Sequence, residues 1–223
     1  YNAFKNGNRV DSLDEDLESG VVKISAVSGN VVALKEDGSI LQWGFEGQTP
    51  PDTSDFEDVY SGNYSHFGFK EDGSVKTWGR NGLGPASSSM EAQLNSGAKV
   101  LKVVASEQAW AALKEDGSVL AWGSGSRGGS EPTNDLQSGV IEIVPNAYGF
   151  AALKEDGSVV SWGGGSNSNY SSEDLSSGVV KLFSNSSSFA ALKEDGSVVS
   201  WGNPEGGGDS SLVSDLISSG VRR

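Results

Sequence analysis

Apolar residues in this chain come in short runs divided by turn chemistry, and the runs recur. Val179–Phe183 is a brief β-branched stretch, Phe189–Lys193 a second, and Val198–Trp201 a third, with Glu194-Asp195-Gly196-Ser197 between the last two. Asp-Gly between two apolar runs is a strong short-range hairpin signal, because glycine takes a positive φ without steric cost. The pattern predicts three strands per unit, here named A, B and C, with a tight turn between B and C. The strands are nearly continuously apolar, not alternating, which suits sheets covered on both faces.

The unit repeats. Ala-Leu-Lys-Glu-Asp-Gly-Ser stands at Ala33–Ser39, Ala112–Ser118, Ala152–Ser158 and Ala191–Ser197, with a close relative at Gly68–Ser74. Each copy is followed by Trp-Gly, at Trp43, Trp78, Trp122, Trp162 and Trp201, so the period is about 39 residues. Ser-Gly-Val or a relative precedes most copies, and a sixth stands at Ser219-Gly220-Val221 with no core after it. These tryptophans and the turn glycines Gly38, Gly73, Gly117, Gly157 and Gly196 read as structural. A fixed period of this length is the signature of a repeat architecture.

The expected fold is all-β: a β-propeller of about six blades, with seven as the alternative, forming one domain over residues 1–223. Tyr1–Gly7 is similar to a B strand and its turn with one residue deleted, and the chain ends on a Ser-Gly-Val. The last blade is therefore expected to be closed by the N- and C-terminal segments together, which would remove exposed sheet edges. Ser88–Leu94 carries a Ser-x-x-Glu capping box, and Leu212, Val213, Leu216 and Ile217 form a stripe at helical spacing.

The combination of Ser-Gly-Val, Ala-Leu-Lys-x-Asp-Gly and Trp-Gly resembles the regulator of chromosome condensation repeat family. In repeat style it is similar to that family's beta-lactamase inhibitor protein II, whose post-Trp Gly-Gln-Thr matches Gly47-Gln48-Thr49. The resemblance implies a propeller with aromatic residues at the A–B tips touching a protein partner; the matching positions here are Tyr64 and Tyr148.

Charge and composition narrow the function. Sixteen basic against 30 acidic residues give a net charge of −14, which opposes binding to phosphate backbones and anionic membranes. There is no apolar run near the roughly 20 residues of a membrane span, so no membrane insertion is expected. Zero cysteine excludes disulfides and a thiol nucleophile. Tyr1 leads, without a signal-peptide core, and reads as the start of a trimmed or processed chain. An extracellular or surface location is favoured, a cytoplasmic one being the alternative.

Catalytic constellations are missing. His66 shares a B-strand slot with Tyr1, Val31, Trp110, Phe150 and Phe189, and reads as core rather than as a general base. The Lys-Glu-Asp turns lack the spaced oxygen ligands of a calcium loop, and identical turns do not offer the two unequal carboxylates of glycoside hydrolysis. The acidic run Asp11–Glu18 reads as a solvated segment. No metal, cofactor or enzymatic activity is expected.

What varies is one end of each repeat. The A–B tips and the loops after Trp-Gly differ from copy to copy, while the B–C turn does not. Binding surfaces sit on varied loops over a rigid scaffold. The candidate contact residues are Phe45, Asn63, Tyr64, Arg80, Gln108, Arg127, Asn146 and Tyr148. The reading is a non-enzymatic binding module with a protein partner. A glycan-binding or surface-structural role is the alternative, and a nucleotide-exchange regulator follows only from family analogy.

Overall fold

The computed structural model describes residues 2–5, 8–10, 17–27, 29–44, 55–79, 87–130, 134–164 and 173–221. They form two compact units, Tyr1–Val100 and Leu101–Arg223. After β1 (Asn2–Lys5) and β2 (Asn8–Val10), five A–B–C sets follow in order. They are β3 (Val21–Val27), β4 (Asn30–Lys35) and β5 (Ile40–Gly44); β6 (Phe56–Ser61), β7 (Ser65–Lys70) and β8 (Val75–Gly79); β9 (Val100–Ala105), β10 (Ala109–Lys114) and β11 (Val119–Gly123); β12 (Val140–Pro145), β13 (Gly149–Lys154) and β14 (Val159–Gly163); and β15 (Val179–Ser184), β16 (Ser188–Lys193) and β17 (Val198–Gly202). Each set is an antiparallel sheet with B in the middle, as the apolar runs predict.

The B–C turn shows why its residues recur. In the fourth repeat Leu153 pairs with Val159 and Phe150 with Trp162. Asp156 Oδ1 accepts the Ser158 amide at 2.9 Å and the Ser158 hydroxyl at 2.6 Å. Gly157 takes φ +77°, where a Cβ would also meet the Gly178 nitrogen at 2.8 Å.

Burial on both faces is visible in the second unit. On β13, Phe150 and Ala152 pack with Ala111 and Leu113 of the preceding repeat, while Ala151 and Leu153 pack with Leu182, Phe189 and Ala191 of the following one. The B-strand slot faces the repeat's own tryptophan: His66 on Trp78, Trp110 on Trp122, Phe150 on Trp162 and Phe189 on Trp201, with ring centroids 5.2–6.2 Å apart. Those four tryptophans are buried. Trp43 is half-buried, in a cluster with Ala3, Val21, Ala33 and Leu41. Leu94, Leu136 and Leu175, each in a short helical turn before a Ser-Gly, are buried plugs.

Three expectations are corrected. First, β1 does not finish a blade opened by the C-terminus. It pairs with β5, Ala3 opposite Trp43, and turns back into β2, so the first sheet has five strands in the order β2-β1-β5-β4-β3. The outer edge of β5 offers unpaired backbone groups, and the N-terminal hairpin satisfies them. The final Ser-Gly-Val does dock like its relatives, with the Val221 amide donating to the Gly196 carbonyl at 3.0 Å. Second, helix α1 (Ser88–Leu94) is capped by Ser87, whose hydroxyl accepts the Met90 amide at 3.2 Å. Glu91 pairs instead with Lys76 at 2.7 Å. Third, the C-terminal stripe is not the face of a single helix. It splits into a 3-10 turn (Ser211–Val213) and α2 (Ser214–Ile217), with Leu212 and Leu216 exposed.

Candidate functional site

The varied end is built from backbone upward in the second unit. The post-Trp loops join the A–B tips of their own repeats: Ser124 N donates to Gln108 O, Gly164 N to Tyr148 O and Asn203 N to Ser187 O, at 2.8–3.0 Å. The tips then join one another, Glu107 N donating to Ala147 O at 3.3 Å and Ala147 N to Ser186 O at 3.1 Å. Three successive tips thus form one hydrogen-bonded ledge.

On this ledge the structure brings Arg127 and Tyr148 together. Arg127 lies at the end of the 3-10 turn Gly125–Arg127, fixed by the Ser106 hydroxyl donating to its carbonyl at 2.8 Å. Its guanidinium stands 4.5 Å from the Tyr148 ring centroid and 3.2 Å from a Glu107 carboxylate oxygen. Tyr148 is 40% exposed, so one part of its ring is held and the rest is presented. Glu107 is not among the residues that the sequence singles out. Its position in a varied tip is the one available signal, and its partner lies 20 residues further along the chain. Beside the fifth repeat's tip is a cavity of about 190 Å³ lined by Phe183, Asn185, Ser188, Phe189 and Gly207 among others.

Asn146 is the candidate contact residue at the start of the fourth repeat's tip. It is buried, and its Oδ1 accepts the Tyr148 and Gly149 amides at 2.8 and 2.9 Å. It shapes the tip that carries Tyr148. Asn185 does the same one repeat later, accepting from Ser187 and Ser188. Gln108 anchors Ser124 through its carbonyl. Asn63 and Tyr64 form the second repeat's tip, in the first unit, where the Asn63 carbonyl accepts from the Asn30 side chain at 2.6 Å. Phe45 and Arg80 lie outside the described residues.

The opposite end is uniform. Asp37, Asp72, Asp116, Asp156 and Asp195 all have pKa values held below the usual carboxylate range, chiefly by the serine two residues on and further by the turn's lysine. Among the described residues no group of three or more His, Asp or Glu side chains is placed to hold a metal. No helix of the described residues is long and apolar enough to cross a membrane.

No protein-family model matches the sequence, and no curated protein matches it. Solved structures do. The CRINKLY WD40 ectodomain of the Arabidopsis thaliana receptor kinase ACR4 is similar with a TM-score of 0.54 and 17% identity, over 82% of this chain and 68% of that one. Human WBSCR16 gives 0.52 and 18%, over 84% and 63%. Saccharomyces cerevisiae Prp20p, the yeast RCC1, gives 0.53 and 16%, over 85% and 58%. This chain therefore spans about two thirds or less of the length of most of these structures. At such identities the likeness is one of fold, and the fold is an RCC1-like β-propeller.

Proposed function

We propose that the chain is a non-enzymatic protein-binding module and that its contact surface is the tip ledge of the Leu101–Arg223 unit. The observation carrying this reading is the Glu107–Arg127–Tyr148 group. A stacked, ion-paired arginine holds a partly exposed tyrosine on loops tied to rigid strands. Tyr and Arg are the types enriched at interface centres, and an anchor held before binding loses little side-chain freedom when the partner arrives. The uniform turns at the other end repeat one chemistry and discriminate poorly between asymmetric partners. Among the similar structures, yeast RCC1 (Prp20) is described bound to Kap60 and as binding Gsp1p and histones, which supports a protein partner without naming one here.

Affinity capture tests the reading. The wild-type chain is the bait, with a Glu107→Ala/Arg127→Ala/Tyr148→Ala bait as control. A protein retained by the first and lost by the second supports it; equal retention by both overturns the location.

A further inference from the structure

The chain's single histidine lies inside the first unit, and only one of its two nitrogens is satisfied. His66, on β7, is 1% exposed. The Ser61 amide donates to Ser25 Oγ at 2.8 Å and the Ser61 hydroxyl donates to the Ser25 carbonyl at 2.9 Å. With its proton committed to Ser25, the Ser61 oxygen serves as acceptor for His66 Nδ1 at 3.1 Å. This assigns the Nδ1–H tautomer and leaves Nε2 a buried lone pair with no hydrogen-bond partner. The ring stacks on Trp78 at 5.3 Å, and the Trp78 indole donates to Gln42 Oε1 at 2.8 Å. Ser25 and Gln42 belong to the first repeat; Ser61, His66 and Trp78 belong to the second. A polar thread therefore crosses the seam between these sheets twice, with the imidazole at its centre.

Among the described residues no charged group is arranged to stabilise a second proton. On β3 and β6, Lys23 pairs with Asp58, whose other oxygen takes the Tyr60 hydroxyl at 2.9 Å. Burial and Asp58 push the Tyr60 pKa up to about 12, so it stays a neutral donor. Glu57 of β6 is exposed. Lys35 of β4 lies over Gly20, Lys70 of β7 pairs with Asp55, and Lys76 of β8 pairs with Glu91. β5 carries no titratable side chain.

We propose that this thread is an acid-released latch: a proton on His66 Nε2 breaks the seam between the first two sheets and opens the Tyr1–Val100 unit. Protonation creates an N–H with no acceptor among the described residues and a charge buried away from bulk solvent, and the face of Trp78 offsets only part of that. In the second unit the same slot holds Trp110, Phe150 and Phe189, which do not titrate.

Burial alone depresses the His66 pKa to about 3. An unfolded histidine titrates near 6.5, so the open state binds the extra proton first as pH falls. The latch weakens progressively as pH falls through and below that value, and at pH 5 the opening constant is about 25-fold higher than at pH 7. The turn aspartates titrate lower and occur in both units, so a comparison between units removes their contribution.

Hydrogen exchange read by mass spectrometry, corrected for intrinsic rates, tests this on the whole chain. Protection in residues 56–79 is expected to fall roughly 25-fold between pH 7 and pH 5, with residues 140–163 changing far less. In His66→Phe, which places there the residue found at 150 and 189, the two segments are expected to keep their neutral-pH protection. Equal losses in the two units, or an equal loss in His66→Phe, would overturn the latch. Should that variant not fold, the imidazole NMR signal of the wild-type chain decides. The latch requires an Nδ1–H ring whose signal changes only as residues 56–79 open. A titration near 6.5 in an intact fold contradicts it.

Discussion

The carbonyl of Gly157 accepts the amide of Val179, in the next repeat, at 3.0 Å. The same link joins Gly38 to Phe56, Gly117 to Val140 and Gly196 to Val221. Within a repeat, the Glu155 amide donates to the Gly139 carbonyl at 2.8 Å, and Glu36 and Glu194 do likewise with Gly20 and Gly178. The Glu-Asp-Gly-Ser turn and the Ser-Gly-Val segment are thus two halves of one joint. Gly157→Val is expected to destabilise the chain by about 2–4 kcal/mol, since it combines a left-handed φ that Val tolerates poorly with a contact against Gly178. A denaturant midpoint within about 0.5 kcal/mol of wild type would show that the joint tolerates a side chain.

The B–C aromatic pair is the second support. Trp122 is 4% exposed and stacks parallel to Trp110 at 6.2 Å. Trp122→Ala should cost about 3–5 kcal/mol by leaving a cavity between sheets. Denaturant unfolding checks this, and a loss under about 1 kcal/mol would place the indole outside the core.

Asn146 and Tyr148 should separate cleanly. Asn146→Ala strips the cap from two tip amides, that of Gly149 buried, and should lower stability by about 1–2 kcal/mol. Tyr148→Ala should leave the melting temperature nearly unchanged and weaken partner binding by roughly 1–2 kcal/mol. Melting curves and calorimetric titration of the two variants check both halves.

Arg127 and Tyr148 should not act independently. Because the guanidinium stacks on the ring, Arg127→Ala and Tyr148→Ala are expected to show a coupling of about 0.5–1 kcal/mol in a double-mutant cycle of binding. Strict additivity would mean that the stack plays no part in presenting the tyrosine.

Much of this architecture was legible because repetition places the same side chains at the same turn five times. Asp-Gly-Ser reports a hairpin, and the Trp-Gly spacing reports the sheet. The joint between repeats was not, since Gly157 and Val179 meet through backbone atoms that leave no mark in residue type. The pairing of β1 was misread for a related reason. Phe4-Lys5-Asn6-Gly7 has the pattern of a B strand, but a pattern does not say which edge a strand joins, and β5 offered one. Residue type alone does not show that the Asn146 side-chain carbonyl oxygen in this varied loop is spent on the chain's own amides. Glu107 acquires a role only when the fold brings Arg127 beside it.

The central claim is that partner contact lies on the tip ledge and not on the uniform turns. Calorimetric titration of the captured partner against three chains tests it: wild type, Tyr148→Ala, and Glu115→Lys in an exposed turn. The account predicts that Tyr148→Ala weakens binding roughly 5- to 30-fold, while Glu115→Lys alters little beyond the salt dependence. Loss of binding in Glu115→Lys, with Tyr148→Ala behaving as wild type, would put the interface at the opposite end of the repeats.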